Sequence, residues 1–496
     1  MTGAEQDGSV PSPGRQSFIT LRPSSVRSMA APGSVSSRRL LVIGLDGVPP
    51  EFLFDRFRTV MPVTSRLVDR GLRARLRTTD PPISVPAWPV MFSGVDPGTL
   101  GFYGFRHRAH HSYTDTYVPN SRQMPVPSVF ELASAAGRRV GVVGMPMGYP
   151  PPVVNGFYIS DFLTPSGAPE FTHPPELGRE LEASYGRYPF DVVFRSDERK
   201  ELFRQIVRMT ETRFRIAAEL LGRERWDLFA VHEIGTDRLH HAYWKYFDET
   251  HPDFVPGNPF SHVAEEYYGV VDRGIKSLVD IAGSDTSVLV VSDHGSMAMR
   301  GCFCINQWLA EKGYLSLRGP VPTGTPLEKA PVNWDTTTVW SSGGYYARVF
   351  FNLRGREARG IVAPGQVPAL RQRLEKDLAA IRDPEGSPMG VRVLDPTQTY
   401  QEVNGDAPDL MLYFDELRFR SAGTLGHPSL FLRENDTGPD DAVHSFDGVF
   451  LWHDPLRSLS ATELPAQAIR DVAPTILRYL DIPIPGSIQG KPIALG

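Results

Sequence analysis

The sequence predicts an α/β fold: a doubly wound, mostly parallel sheet flanked by helices, with an inserted α+β cap unit. Two observations predict the sheet. Apolar runs of strand length recur along the chain, and helix-like stretches separate them, which is typical of parallel strands joined by helices. A third observation, a change of pattern between residues 316 and 425, predicts the cap unit.

Four apolar runs predict buried parallel strands, because each is nearly continuous rather than alternating. In chain order they are RLLVIGLDG (39–47), RRVGVVGMP (138–146), WDLFAVHEIG (226–235) and TSVLVVSDHG (286–295). Helices are predicted over 199–222 and 262–283. A strand at 448–452 and a C-terminal helix over about 464–480 complete the predicted main domain, which comprises 39–315 and 426–496.

The predicted cap unit, 316–425, begins with a linker rich in Pro and Gly. Strands are predicted in it near 345–353, 391–394 and 409–414, and a helix near 367–382. Residues 1–38 are rich in Ser, Pro, Gly and Arg, which predicts a disordered leader. The Arg and Ser content of this leader also leaves a targeting role open.

Composition and charge argue against a nucleic acid polymer or a membrane as a partner. The chain has 496 residues and a formal net charge of −5, without a run of Lys or Arg. No stretch approaches the length of a membrane span. The two cysteines, Cys302 and Cys304, are too close in sequence for an expected disulfide, which suits a reducing compartment. We therefore expect a soluble, cytoplasmic protein.

The stretch TTDPPISVPAWPVMFSG (78–94) places Ser84 where an extended segment turns into a predicted helix. Pro86 favours a first helical turn there, because its φ angle is preset and the N–H it lacks has no helical partner. Two interpretations of Ser84 follow. It is an N-cap residue, the commonest role of a serine at this position, or it lies at an anion site formed by free N–H groups and the helix dipole.

Acidic residues follow three of the four predicted strands: Asp46, Asp237 and Asp293. A single Asp after a strand is usually a turn residue or a helix cap. The carboxyl ends of parallel strands, however, gather functional groups at one edge of a doubly wound sheet. Asp237 and His241 are spaced i and i+4, so one helical turn aims both at one point; His240 is the competing choice.

Histidines accompany these acids. His294 directly follows Asp293, and His444 in DAVHSFDGVF precedes the last predicted strand, with His453 in LWHDP as its alternative. Carboxylates and neutral imidazoles without thiolates suit zinc or manganese. Two groups of ligands indicate two divalent ions, an arrangement that clamps the attacking and leaving oxygens in phosphoryl transfer. A serine hydroxyl that touches one of them becomes a nucleophile.

Five motifs, in their order along the chain, resemble the alkaline phosphatase superfamily and, within it, the type I phosphodiesterase/nucleotide pyrophosphatase family. The motifs are VIGLDG, ISVPAWPVMFSGVDPGTLGFYGF, GTDRLHHAYW, SDHG and HSFDGVF. The resemblance covers nearly all of 39–493. It implies that 39–315 and 426–496 form an alkaline phosphatase-like catalytic domain.

The resemblance also implies two metal sites and a nucleophile. One ion is surrounded by Asp46, Ser84, Asp293 and His294, and the other by Asp237, His241 and His444. Ser84 aligns with the nucleophilic Thr or Ser of the family. The implied mechanism is therefore in-line attack on phosphorus, a covalent phosphoserine, and hydrolysis by metal-activated water.

The sequence thus predicts a two-metal phosphoric ester hydrolase, either a phosphodiesterase or a phosphomonoesterase, with a small phosphate ester or a nucleotide-like substrate. Arg106 and His107, soon after the nucleophile helix, are candidate substrate-binding residues, and a solvated loop is the alternative. A phosphotransferase or phosphomutase on the same core is the first alternative function. A non-catalytic protein that binds a phosphate ligand is the second, and the full set of seven metal ligands argues against it.

Overall fold

The computed structural model describes residues 38–457 and 460–496, so the predicted leader lies outside the described residues apart from Arg38. The helices are α1 Pro62–Asp69, α2 Ser84–Ser93, α3 Pro97–Leu100, α4 Val129–Ala135, α5 Pro175–Tyr185, α6 Arg199–Gly222, α7 Gly235–Phe247, α8 Val263–Ala282, α9 Ile305–Glu311, α10 Val367–Ala379, α11 Pro396–Thr399 and α12 Val472–Tyr479. A search of the described helices finds none that is both long and apolar enough to cross a membrane.

The strands of the first half of the chain are β1 Arg39–Leu45, β2 Leu72–Arg77, β3 His107–Arg108, β4 Thr116–Tyr117, β5 Val140–Val143, β6 Gly156–Ile159, β7 Thr172–His173 and β8 Leu228–Glu233. Those of the second half are β9 Thr286–Val291, β10 Gly295–Ala298, β11 Gly301–Cys304, β12 Val339–Ser342, β13 Ala347–Phe351, β14 Val391–Leu394, β15 Leu410–Phe414, β16 Phe419–Ala422, β17 Phe431–Leu432, β18 Ala442–Ser445, β19 Asp447–His453, β20 Thr462–Glu463 and β21 Gln467–Ala468.

The larger sheet has the strand order β20-β2-β19-β9-β1-β8-β5-β6-β7, and β21 also pairs with β2. Its centre, from β9 through β1, β8 and β5 to β6, is parallel. Strand β19 is antiparallel to both β9 and β2, and β7 is antiparallel to β6. The predicted α/β fold with a mostly parallel sheet is confirmed, and the four predicted parallel strands correspond to β1, β5, β8 and β9.

Helices cover both faces of this sheet because its central strands are apolar on both sides. Along β1, Leu41 and Ile43 belong to one hydrophobic core with residues of α1, α6, α7 and α8. Leu40 and Val42 point to the other face and belong to a second core with residues of α2, α4 and α12. All of β1 after Arg39 is buried, which confirms the doubly wound arrangement.

A second sheet has the order β12-β13-β15-β16-β11-β17, with β14 paired to β15. Strands β12 to β16 and helix α10 lie within the predicted cap unit and have its α+β character. Strands β11 and β17 lie outside 316–425, one before it and one after it. The second sheet therefore extends beyond the predicted boundaries, while Arg38–Gly496 form one compact unit. The domain division at 316 and 425 stays a prediction.

The C-terminal helix is shorter than predicted. Helix α12 begins at Val472, whereas the predicted helix began at about 464. Gln467 and Ala468 instead form β21, which pairs in parallel with Leu76 and Arg77 of β2. The predicted start was wrong because this pairing holds the preceding segment extended along the sheet.

Gly44 of β1 has no side chain where Trp88 of α2 packs against the strand. A Cβ atom at Gly44 would lie 2.7 Å from Cη2 of Trp88, whose Nε1 donates a hydrogen bond to Asp46. We expect Gly44→Ala to lower the free energy of unfolding by about 1–3 kcal/mol, because Trp88 has to shift. Chemical denaturation measures the change. Gly319→Ala is the control, since a Cβ there meets no atom within 4 Å, and an equal loss in both variants would contradict this explanation.

Candidate metal centre

Three neighbouring strands bring acidic side chains to one edge of the larger sheet. Asp46 follows β1 directly, and Asp293 lies two residues after the end of β9. Strand β8 leads into α7, which places Asp237 in the first turn of that helix. Because β9, β1 and β8 are adjacent and parallel, their carboxyl ends lie side by side. The three acids therefore lie at the same edge, as the sequence predicts.

Helix α7 directs His241 toward this edge and His240 away from it. His241 Nε2 lies 3.2 Å from Oδ1 of Asp237, one helical turn earlier. His240 Nδ1 lies 3.0 Å from Ser296 Oγ, and His240 Nε2 lies 2.9 Å from Tyr268 Oη. Both ring nitrogens of His240 thus have other partners, and the geometry favours His241.

Ser84 is the first residue of α2 and does not cap it. The N-cap position is occupied by Ile83, and no side chain makes a capping hydrogen bond there. The Ser84 hydroxyl instead donates to Asp46 Oδ1 over 3.2 Å, and its Oγ lies 3.2 Å from His294 Nε2. The capping interpretation of Ser84 is therefore wrong, because the hydroxyl is directed at the acids of the sheet edge.

Pairing between two short strands places His444, and not His453, at this edge. Strand β10 begins directly after His294 and pairs with β18, so that Ser296 lies opposite His444. The rings of His294 and His444 stack with centroids 3.7 Å apart. His453 lies at the end of β19, where its Nδ1 donates to the carbonyl of Arg70.

All seven predicted metal-ligating residues lie together in one buried group. This metal-centre cluster consists of Asp46, Ser84, Asp237, His241, Asp293, His294 and His444, each at most 2% exposed. Possible ligand atoms of Asp237, His294 and His444 lie within 4.8 Å of one another, and so do those of Asp46, Asp293 and His294. His294 belongs to both groups, so two ions held in the cluster would be neighbours.

Distances inside the cluster fit ligands arranged around common cations. His444 Nε2 lies 3.2 Å from His241 Nε2 and 3.6 Å from Asp237 Oδ1. His294 Nε2 lies 3.2 Å from Asp293 Oδ2. Ligand atoms about 2.0–2.1 Å from one tetrahedral ion are separated from each other by about 3.3 Å. The observed spacings match that separation.

Hydrogen bonds fix the tautomer of the three imidazoles in the cluster. Each Nδ1–H donates to an oxygen: His241 to Asp440 Oδ1 at 2.6 Å, His294 to the Gly295 carbonyl at 2.9 Å, and His444 to the Pro82 carbonyl at 2.7 Å. The unprotonated Nε2 atoms therefore face the cluster, those of His241 and His444 only 3.2 Å apart. Two lone pairs at this distance repel each other unless a metal cation or a proton lies between them. Imidazoles oriented in this way are typical metal ligands.

Carboxylate oxygens in the cluster are also left without donors. Asp237 Oδ1 and Asp293 Oδ2 are buried and accept no hydrogen bond from the described residues. Burial raises the pKa of Asp293 well above its ordinary value, and the neighbouring Asp46 carboxylate raises it further. Burial lowers the pKa of His444 well below its ordinary value, with a further contribution from His294. The two carboxylate oxygens without a donor and the neutral imidazole of His444 together fit bound divalent cations.

Asp440, which sequence reasoning missed, holds His241 in position. Its carboxylate accepts from His241 Nδ1 and from the guanidinium groups of Arg195 and Arg420. Burial alone would raise the pKa of Asp440, but His241 and Arg420 outweigh burial and lower it below its ordinary value. Asp440 therefore stays ionised and orients the ring. Its only sequence signal is its place four residues before His444.

Asp46 is held in a similar way through its second oxygen. Asp46 Oδ2 accepts a hydrogen bond from Trp88 Nε1 at 2.8 Å and lies 2.9 Å from His232 Nε2. Oδ1 is thereby left directed at Ser84. Trp88 and His232 are both buried, and both orient Asp46 through their hydrogen bonds to Oδ2.

The two predicted substrate-binding residues make no contact with the cluster in the part of the chain that the structure describes. His107 is buried, and its Nε2 accepts a hydrogen bond from the Tyr103 N–H at 2.9 Å. Burial lowers the pKa of His107 to about 3, and the nearby Arg348 contributes to this. The side chain of Arg106 is exposed. Among the described residues no hydrogen bond, ion pair or ring contact joins either side chain to the cluster, so this geometry gives the prediction no support.

A known family matches the chain across the whole cluster. The model of the family Type I phosphodiesterase / nucleotide pyrophosphatase matches residues 40–445, a range that includes all seven cluster residues. The chain belongs to this family. Type I phosphodiesterase/nucleotide pyrophosphatase proteins are metal-dependent hydrolases of phosphoric esters, and this chain is accordingly an enzyme of that class.

Solved structures share the fold at low sequence identity. Phosphonoacetate hydrolase from Sinorhizobium meliloti, in complex with phosphonoformate, has a TM-score of 0.57 and 17% identity. Human ectonucleotide pyrophosphatase/phosphodiesterase 5 has a TM-score of 0.53 and 12% identity. An inactive form of the murine protein, in complex with AMP, has a TM-score of 0.52 and 13% identity. Each match covers 90% of this chain and 96% of the other. No curated protein sequence matches the chain significantly.

Proposed function

We propose that this family member is a two-metal phosphoric ester hydrolase in which Ser84 is the nucleophile. One observation carries the proposal: Ser84 Oγ lies 3.2 Å from both Asp46 Oδ1 and His294 Nε2, inside a buried cluster of possible metal ligands. A serine that only packed or capped the helix would have no reason to lie among them. The proposed substrate is a small phosphate ester, either a diester or a monoester.

The donor set supports two divalent cations of the zinc or manganese type, because it consists of carboxylates and imidazoles without thiolates. Asp46, Ser84, Asp293 and His294 would hold one ion, and Asp237, His241 and His444 the other. When bound, such a pair makes the serine hydroxyl more acidic and offsets the negative charge of the phosphoryl group.

The residues of the chain supply the nucleophile and orient it. The Ser84 hydroxyl donates to Asp46 Oδ1, so this carboxylate is well placed to accept the proton that Ser84 gives up. Ser84 Oγ bonds to phosphorus, while the ester oxygen leaves with the electrons of the broken P–O bond and takes up a proton. Water then bonds to phosphorus, the bond to Ser84 breaks, and the serine regains its proton.

The position of Ser84 on α2 also favours an anionic substrate. The N–H groups in the first turn of a helix have no partners within the helix. Together with the positive end of the helix dipole, they favour a phosphoryl group at this end. Ser84 is the first residue of α2, so the proposed reaction takes place next to these groups.

We expect the purified protein to bind about two zinc or manganese ions per chain and, when loaded, to hydrolyse aryl phosphate monoesters, aryl phosphate diesters or nucleotides. Chelation should remove this activity and added metal should restore it, because the unpaired carboxylate oxygens and Nε2 atoms need cations. Elemental analysis and a substrate panel measure both. A protein that binds no metal, or that is inactive on all three classes when loaded, would contradict the proposal.

A further inference from the structure

Tyr345, in the turn that joins β12 and β13 of the second sheet, reaches the metal-centre cluster, although it lies 104 residues from His241 in sequence. Its hydroxyl lies 3.1 Å from His241 Nε2, the ring nitrogen that faces the cluster. The Tyr345 ring centroid lies 3.9 Å from that of His444 and 5.7 Å from that of His241. The side chain is half-buried, so it borders both the cluster and the solvent.

The backbone of the second sheet holds Tyr345 in this position. The Gly344 N–H donates to the Ser421 carbonyl at 2.7 Å, and the Ser421 N–H donates back to the Gly344 carbonyl at 3.0 Å. A Cβ atom at Gly343 would lie 2.4 Å from a facing backbone nitrogen, so only glycine allows this close approach. The guanidinium carbon of Arg420 lies 4.1 Å from the Tyr345 ring centroid, a cation–π contact. Tyr345 is therefore in place before a substrate binds.

The Tyr345 hydroxyl needs another acceptor once His241 binds a cation. His241 donates its Nδ1–H to Asp440, so its Nε2 lone pair is the acceptor for Tyr345 in this structure. When His241 holds a cation through Nε2, that lone pair is no longer available to the phenol. A phosphoryl group brought to this point carries negatively charged oxygens, which accept hydrogen bonds more strongly than neutral groups do.

We propose that Tyr345 is a substrate-binding residue whose hydroxyl donates a hydrogen bond to a phosphoryl oxygen of the bound ester. This inference rests on the proposed function, because it requires a phosphoryl group at the cluster. It gives the second sheet a direct contact with the substrate. The packing of the Tyr345 ring against His444 and Arg420 would not by itself require a hydroxyl on that ring.

The test removes only this hydroxyl. Inorganic phosphate is titrated into the zinc-loaded wild-type protein and into zinc-loaded Tyr345→Phe, and calorimetry gives the Kd. We expect the variant to bind phosphate roughly 10- to 100-fold more weakly, the effect of losing a hydrogen bond to a charged group, with unchanged zinc content. Tyr346→Phe is the matched control, because the hydroxyl of this neighbouring tyrosine donates to the Tyr103 carbonyl; its phosphate affinity should stay unchanged.

Each outcome separates this inference from the proposed function. Equal phosphate affinity in Tyr345→Phe and wild type overturns the inference, and so does loss of zinc from the variant, since Tyr345 would then be a metal ligand. Phosphate binding requires no turnover. If the wild-type protein hydrolyses esters and Tyr345→Phe binds phosphate as tightly as the wild type does, only the inference is rejected. If Tyr345→Phe binds phosphate more weakly but the wild-type protein hydrolyses no ester, only the proposed function is rejected. A wild-type protein that binds no phosphate overturns the inference, and the substrate panel then decides the proposed function by itself.

Discussion

Ser84→Ala should lower kcat for phosphoric esters by several orders of magnitude while the fold and the metal content stay nearly intact. The variant loses the attacking oxygen, and a covalent route cannot proceed without it. The fold should survive because Ser84 makes no capping hydrogen bond. Had Ser84 been only an N-cap, alanine would cost on the order of 1 kcal/mol of stability and leave kcat largely unchanged.

Steady-state kinetics, which gives kcat, and mass spectrometry check this expectation. Mass spectrometry of rapidly quenched wild-type protein should find a phosphoryl group on the peptide that contains Ser84, and find none in Ser84→Ala. Ser93→Ala is the control for the substitution itself. Ser93 ends the same helix, is buried, and its Oγ has no hydrogen-bond partner among the described residues. Near-normal kcat in Ser84→Ala would remove Ser84 from the mechanism.

His241→Ala should reduce activity far more than His240→Ala, although the two histidines are adjacent and both fully buried. His241 presents Nε2 to Asp237 and to the neighbouring His444, so its loss removes one proposed metal ligand. We expect metal content to fall by about one ion per chain. We expect kcat/KM to fall by more than about 100-fold, which exceeds the loss typical of residues that only orient a metal ligand.

His240→Ala should instead affect stability. His240 bonds Ser296 and Tyr268. Its loss leaves the buried Tyr268 hydroxyl unpaired and lowers the free energy of unfolding by about 1–3 kcal/mol, with little change in metal content. His241→Asn and His240→Asn repeat the comparison, because asparagine leaves a smaller cavity than alanine does in place of the imidazole. Elemental analysis and denaturation separate the two effects. Equal losses of metal and activity in folded variants would show that neither histidine has been assigned correctly.

The part of the site that the sequence predicts depends on local patterns. Asp46 and Asp293 each follow a continuous apolar run, and such runs become the central parallel strands of a sheet whose carboxyl ends share an edge. The i,i+4 spacing of Asp237 and His241 needs only one helical turn. These relations hold whatever the rest of the chain does. The complete set of seven residues, with Ser84 as the nucleophile and His444 as the last ligand, came from the resemblance to the family.

The contacts that the sequence does not predict join distant segments. Tyr345 meets His241 across 104 residues, and Asp440 meets it across 199 residues. No periodicity marks either residue, because neither position depends on its own element alone. The start of α12 was misplaced for a related reason: pairing of β21 with β2 outweighed the local helical pattern. Arg106 and His107 were chosen by their nearness to Ser84 in sequence, which does not decide where a side chain points.

The carboxylate of Asp440 makes it hard to exchange the second sheet as an independent module. Arg420 lies on β16, near the C-terminal end of the predicted cap unit, and donates to the same carboxylate that orients His241. A chimera that receives this segment from a relative would replace Arg420 and Tyr345 together. Asp440 would then lose a positive partner, and His241 would be held less firmly even if every metal ligand were kept. Under the proposed function, substrate binding through Tyr345 and metal binding through His241 both depend on Arg420, so we expect the segment to diverge only where it preserves these two side chains or compensates for them.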